Sequence, residues 1–454
     1  MNVIKTKFHL MNFTSRILMQ KHFYQIASTP ESTNLQSFIV FDGVMPVAEG
    51  SEPTVFFSRF PTDIHQPHFA VNQVGLLLTF LRFATRFAGD TPCDYIRTSS
   101  HETAILELDN QVWMSVQRQI SPNSPSNRDL LNSMLRSCKS IYQLFFQPPK
   151  RNPETEEILD ESAVILKKAF EVIVNSITWA DLGFIHLFDS FFQLKLNDQF
   201  SSELCPIIHR LLNSDVPIAH IAIMYSRYFI FYTFPTDVAR TLSICLRMKL
   251  PYLFPRVLAK EDERLYWIIG MSKTERRTVS IYAPPLFIDG KQYPLIALRM
   301  KKIRFILTLQ SGVIPSPKLL AAVPPLLKPL RKHCEKLKLE TRSGKKSGPY
   351  VVLKNLPQEK MLTLSHEKLS DPTIPIAENM IFQAHLFATN VAQQKSSIVF
   401  PGPSGLGYYV CLRKTIAEEV VVMCQNDTKE VTRAISAGHE LERQENVKRP
   451  YITV

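Results

Sequence analysis

The chain has 454 residues, with 53 Lys and Arg against 41 Asp and Glu, and a mean hydropathy of −0.04. At about 150 residues per domain this is enough for roughly three buried cores, which excludes a single small module. A hydrophobic share of 45% excludes a disordered chain, and no apolar run approaches the roughly 18 residues that a membrane-spanning helix needs. Only 14 glycines are present, which leaves little material for loops that bring backbone amides up to phosphates.

Elements follow one another legibly from residue 37 onwards. SFIVFD (37–42) and VFFSRF (55–60) predict two strands joined as a hairpin. A long helical pattern covers 68–88, strands are expected at 105–108 and 112–117, and a helix at 129–146 is closed by Pro148 and Pro149. The acidic run from 153 to 161 predicts the start of a further helix reaching about 177. The order then returns. A hairpin is expected at 218–225 and 228–234, a helix at 235–250, strands at 265–270, 278–282, 295–300 and 305–309, and a proline-interrupted helix at 318–339. A weaker third copy places strands at 350–354, 361–364, 398–400, 408–413 and 420–424, with helices at 376–391 and 429–444. The expected fold is therefore mixed α/β (α+β), with three units that each carry an antiparallel sheet and packed helices. We divide the chain into a basic extension (1–36) and units at 37–180, 181–342 and 343–454, the last boundary lying in the linker-like RSGKKSG run at 342–348.

Covalent chemistry finds no support in the residue pattern. Gly344-Lys345-Lys346 lacks the earlier Gly and the hydroxyl of a phosphate loop, and the Gly402–Gly407 run fits neither a nucleophile elbow nor a dinucleotide turn. His101-Glu102, His366-Glu367 and His439-Glu440 each lack the second His one helical turn later that zinc would require. The seven cysteines are odd in number, and the nearest two, Cys411 and Cys424, are thirteen residues apart. Neither a metal site nor a disulfide framework is expected, and the compartment reads as reducing cytosol. No enzyme activity, metal or cofactor is expected.

Two features carry a functional signal. Along 68–88, Ala70, Val74, Leu77, Leu78, Leu81 and Ala84 form one apolar stripe, and Phe69, Leu76, Phe80, Phe83 and Phe87 form a second. A polar wedge of Asn72, Gly75, Thr79, Arg82 and Arg86 separates them. A helix on one sheet needs only about 100° of apolar surface. The second stripe is covered either by later helices of the same unit or by a partner subunit. The other feature is charge. Thirteen basic residues lie between Arg299 and Lys346 against Glu335 and Glu340, so this stretch holds +11 of the net +12. Within it, 325–339 reads as an amphipathic helix with Lys328, Arg331, Lys332, Lys336 and Lys338 opposite its leucines. A solvated outer face, an anionic membrane surface and nucleic acid all fit that pattern, though missing aromatics argue against base stacking. Residues 1–29 carry Lys5, Lys7, Arg16 and Lys21 without an acid, a pattern open to a loosely ordered extension or to a transit-like or membrane-surface amphipathic stretch.

A resemblance rests on SFIVFDG (37–43), VFFSRFP (55–61), NQVGLLLTFLRFATRF (72–87), VWMSV (112–116) and LLNSMLRSCKSIYQLFFQ (130–147), in that order and spacing. These segments are similar to the first domain of the Ccz (calcium-caffeine-zinc sensitivity) vacuolar fusion proteins. VVLKNLPQEKMLTLS (351–365), YYVCLRK (408–414) and EEVVVMCQ (418–425) resemble that family's last domain. The motifs are hydrophobic scaffolding, shared in part with other tri-longin proteins. The resemblance implies three longin domains and pairing with a Mon-family protein. It also implies membership of a guanine-nucleotide exchange factor for a late-endosomal Rab GTPase of the Rab-seven class, acting in endosome maturation and fusion with the vacuole or lysosome. A third helical scaffold subunit is a further implied partner. On this analogy Leu76, Phe80, Phe83 and Phe87 face the Mon-type partner. Asn72, Arg82 and Arg86, with the 59–68 loop, face the GTPase, and Lys328, Arg331, Lys332, Lys336 and Lys338 face an anionic endosomal membrane. The expected location is cytoplasmic and peripheral on late endosomes or lysosomes, with no nucleic-acid partner. The competing reading is a longin scaffold or adaptor in vesicle traffic without exchange activity of its own.

Overall fold

The computed structural model describes residues 35–44, 52–60, 67–88, 93–120, 128–176, 192–194, 198–225, 228–247, 266–267, 270–271, 281–282, 285–300, 303–340, 350–355, 360–363, 396–401, 408–414 and 418–425. The expected helices at 376–391 and 429–444, residues 1–34 of the basic extension, the 342–348 linker, the Gly402–Gly407 run and most of the 59–68 loop lie outside these residues.

The first block contains β1 (Leu35–Asp42), β2 (Val55–Arg59), α1 (Pro67–Ala88), β3 (Tyr95–Arg97), β4 (His101–Asp109), β5 (Val112–Gln119), α2 (Arg128–Phe145) and α3 (Asp160–Ser176). Its five strands lie side by side in the order β2-β1-β5-β4-β3, every pair antiparallel. Alternation along a strand explains the unbroken SFIVF run. Ile39 and Phe41 point to the face under α1, while Phe38 and Val40 point to the opposite face and the core shared with α2 and α3. The β4–β5 turn is a two-residue loop, Asn110 and Gln111, with φ of 50° and 59°, whose twist matches the flanking strands. Beside it Gly43 is required sterically, because an added Cβ would lie 2.4 Å from the Trp113 ring.

Three loops of this block are tied by Arg151. Its Nη2 donates to Asp42 Oδ1 at 2.7 Å, its Nη1 to Asp42 Oδ2 at 3.1 Å and its Nε to the Asn110 carbonyl at 2.7 Å. Asn110 in turn donates its side-chain amide to the Pro149 carbonyl. Here the expected helix start near 153 needs correction. Arg151 bridges Ile158 across a turn in which Glu156 has φ 58°, and α3 begins only at Asp160. The acids at 154, 156 and 157 belong to that turn, and Asp160 and Glu161 take the place at the helix N-terminus.

Further along come β6 (Phe192–Leu194), α4 (Asp198–Leu212), β7 (Ile218–Tyr225), β8 (Tyr228–Tyr232), α5 (Thr236–Arg247), β9 (Tyr266–Trp267), β10 (Gly270–Met271), β11 (Ile281–Tyr282), β12 (Pro285–Ile288), β13 (Lys291–Met300), β14 (Ile303–Leu309) and α6 (Pro317–Glu340). After them come β15 (Tyr350–Asn355), β16 (Lys360–Thr363), β17 (Ser396–Pro401), β18 (Tyr408–Lys414) and β19 (Glu418–Gln425). Strand order repeats: β16-β15-β19-β18-β17 follows the second-first-fifth-fourth-third arrangement of the first block, and so does β8-β7-β14-β13-β12 once the two-residue strands β9, β10 and β11 are set aside. Even the edge bulge recurs, between Val40 and Phe41 of β1 and between Ile223 and Met224 of β7. The second and third sets are not separate sheets as expected. β6 lies between β8 and β16, parallel to both, and joins them into one twelve-stranded sheet that also includes β9. β10 and β11 form a separate two-stranded ribbon.

The described residues thus form a mixed α/β fold with six helices. α2 is the hinge of the core: it packs on β4 and β5 of its own sheet and on α5 and β12 of the second block. A single large apolar cluster runs through this junction, and a smaller one lies beneath α1. α6 remains helical through Pro324, Pro325 and Pro329. Its N-terminus is capped by Ser316, whose Oγ accepts from the Leu319 N–H at 3.2 Å, with Pro317 at the first helical position. Among the described residues no helix is long and apolar enough to cross a membrane.

Candidate partner-binding face of the first helix

α1 lies on its sheet through Val74, Leu77, Leu78 and Leu81, which are buried and clustered with Ile39, Phe41 and Ile105, and Ala70 is buried one turn before them. Gln73 fixes the start of the helix laterally by donating Nε2 to Gln117 Oε1 at 2.6 Å. The second apolar stripe divides. Its first member, Phe69, is half-buried in an edge-to-face contact with Phe60 at 5.3 Å between ring centroids. The other four stand out: Leu76 is 56% exposed, Phe80 40%, Phe83 60% and Phe87 76%. Phe83 and Phe87 lean on one another, their centroids 4.5 Å apart.

The second block shows what normally covers such a helix. α5 holds the same place in chain order, after the second strand of its block, and Val238, Ala239 and every residue from Thr241 to Leu246 are buried. Its cover comes from α2 of the first block. Among the described residues nothing covers α1 in the same way. Four adjacent large apolar side chains on one helix face are the pattern of an interaction surface rather than the scattered single residues found on ordinary surfaces.

Asn72, Arg82 and Arg86 are exposed on the same helix, beside the apolar stripe. Thr79, between them, turns its hydroxyl back to the Gly75 carbonyl at 2.8 Å. Asn72, Arg82 and Arg86 are thus brought together with the phenylalanines on one outward surface. Arg59 needs correction as a member of this group. It crosses to the opposite side of the sheet and donates Nη1 to the Val174 carbonyl at 2.9 Å, holding the last turn of α3.

On α6, Lys328 and Lys332 are exposed, and Leu327, Leu330 and Cys334 are buried beneath them. Arg331 departs from the expected free basic face, because its Nε donates to Glu335 Oε1 at 3.0 Å one turn along. The side chains of Lys336 and Lys338 lie outside the described residues. The buried side of α6 also carries His333, which the leucine pattern did not reveal. Its Nε2 meets the Phe200 carbonyl at 3.1 Å, its ring stacks on Phe200, and Nδ1 lies 3.4 Å from Glu203. Burial pushes the Cys138 and Cys334 thiols up to about 12 and raises Cys245 as well, so these three remain neutral and packed. No group of three or more His, Cys, Asp or Glu side chains suited to a metal ion occurs among the described residues.

No protein-family model matches the chain, and a comparison with curated proteins finds no match.

Proposed function

We propose that the chain is one subunit of a heterodimeric guanine-nucleotide exchange factor for a late-endosomal Rab GTPase of the Rab-seven class, built from three longin-type domains. The observation that carries this reading is the uncovered apolar face of α1, with its polar residues alongside, in the block whose motifs most resemble the Ccz family. The repeated strand order supports the three-domain part of the reading. A Mon-type partner covers Leu76, Phe80, Phe83 and Phe87, and Asn72, Arg82 and Arg86 border the GTPase platform so formed.

An exchange factor forms and breaks no covalent bond. It binds the nucleotide-free GTPase more tightly than the loaded one, and linkage requires nucleotide and factor to weaken one another. The work falls to surface complementarity, for which a helix carrying apolar anchors and adjacent arginines is suited. Mixing the chain, alone and with a Mon-type partner, with Rab loaded with a fluorescent nucleotide tests the reading. Accelerated release by the pair is the expected result. Pairing without acceleration would favour the longin scaffold.

Arg82→Ala combined with Arg86→Ala should slow release about tenfold, the effect of losing roughly 1.4 kcal/mol in the transition state, with the heterodimer intact by size exclusion. Unchanged stopped-flow rates would remove both arginines from the platform. For the membrane, Lys328→Glu with Lys332→Glu reverses two exposed charges on α6. Each is worth about 1 kcal/mol near an anionic surface, so liposome binding should fall at least roughly thirtyfold while exchange in solution is unchanged. Binding at wild-type strength in sedimentation assays would leave α6 as a solvated face.

A further inference from the structure

The outer face of α1 carries charge of one sign only. Arg82 and Arg86 stand one helical turn apart, each next in sequence to a phenylalanine of the apolar face, Phe83 and Phe87, and all four side chains are exposed. α1 holds no Asp or Glu anywhere in its 22 residues. No carboxylate among the described residues pairs with either arginine. Other arginines of the same block are engaged: Arg97 meets Glu102 at 3.1 Å, Arg128 meets Asp94 at 2.8 Å and Arg151 meets Asp42 at 2.7 Å. The unengaged pair flanks the apolar anchors as the polar rim of an interface does.

This composition decides between two occupants. A second copy would bring the same apolar anchors, and in a two-fold pair each patch meets its own copy. Run antiparallel, the two helices set the arginine rim against the arginine rim. Run parallel, they set it against the opposite rim, where Gln73 and Ala84 stand. Neither arrangement supplies an opposite charge from α1, and the chain's net +12 adds repulsion between copies. Like charges facing one another across an interface suppress the wrong partner, as opposite charges steer the right one. A partner with an apolar face and carboxylates on the matching rim suits both the phenylalanines and the arginines.

We infer that Arg82 and Arg86 make the α1 face reject a second copy of this chain and select a partner whose own apolar face is rimmed by carboxylates. This selectivity rests on the reading of α1 as a subunit interface and adds what the other subunit must carry. Rim charges act mostly on the rate of encounter, so alanine at the two positions leaves the complex assembled, whereas glutamate opposes its formation.

The chain with Arg82→Glu and Arg86→Glu is itself such a partner, because it keeps Leu76, Phe80, Phe83 and Phe87 and carries carboxylates on the rim. Sedimentation velocity at micromolar concentration, with circular dichroism as a folding control, compares the wild type, this double variant and a mixture of the two. Each alone should sediment as a monomer. The mixture should form a heterodimer that dissociates as salt rises and is lost when Phe80→Asp and Phe83→Asp are introduced into the wild-type member. Arg82→Lys with Arg86→Lys should pair with the double variant as the wild type does, since the charge is what selects. Against a Mon-type partner, the association rate of the wild type should fall with salt, and at low salt the double variant should associate at least about tenfold more slowly. A wild-type homodimer that Phe80→Asp and Phe83→Asp dissolve would overturn the inference, and so would a mixture that stays monomeric. If the Mon-type partner associates equally fast with wild type and double variant, the subunit-interface reading stands and the charge selection falls. If the mixed dimer forms but no Mon-type partner binds, that reading falls and the charge selection stands.

Discussion

Phe80→Asp with Phe83→Asp should abolish copurification of the Mon-type partner while leaving the chain folded. Both side chains already stand in solvent, 40% and 60% exposed, so the isolated chain loses little when they change. In the complex each would be an apolar anchor. Hot-spot truncations cost about 2 kcal/mol or more apiece, and the two new carboxylates would also have to be desolvated. A loss of about 4 kcal/mol corresponds to roughly a thousandfold weaker affinity. Titration of the variant against the partner, with circular dichroism as a folding control, checks it. Pairing at wild-type affinity would remove the α1 face from the interface, and the exchange-factor proposal would lose its principal support.

The opposite profile is expected of Arg151→Met. Arg151 and Asp42 have side chains only 15% and 10% exposed, and the guanidinium also serves the Asn110 carbonyl. Removing one member of such a pair leaves an uncompensated, largely buried carboxylate, at about 3 kcal/mol or somewhat more. The thermal midpoint of the first block should fall by roughly 10 °C. Asp42→Asn combined with Arg151→Met should recover part of that loss, because the buried charge is then gone. If Arg151→Met melts as the wild type does, the three loops are held by their packing and not by the ion pair.

Local pattern predicted much of the fold because the signals were short-range. The β1–β2 and β7–β8 hairpins, α1, α2 and α6 lie within a few residues of their expected positions. Other signals were present and unused. Asp289-Gly290, with φ of 49° and 73°, makes the β12–β13 turn and is a strong hairpin signal between apolar runs. The Phe200, Leu204, Ile208 and Leu211 spacing of α4, all buried, has helical period despite Pro206. Strand β6 is different in kind. Three residues hold no periodicity, and their place between β8 and β16 depends on partners far away in the chain.

The candidate site divides along the same line. That α1 has two apolar stripes with a polar wedge between them follows from the sequence alone, because a rotation of 100° per residue fixes which side chains share a face. Which stripe meets the sheet, that Phe60 covers Phe69, that Arg59 leaves for α3, and that Glu335 engages Arg331 were decided by tertiary contacts. The decisive comparison is between α1 and α5. Both follow the second strand of the same strand order, yet α5 is buried by α2 while the outer face of α1 meets no helix among the described residues. Periodicity determines how much apolar surface a helix carries. Only the arrangement of blocks decides how much of that surface the chain covers itself and how much it leaves for a partner, because burial is a property of neighbours that local sequence does not encode.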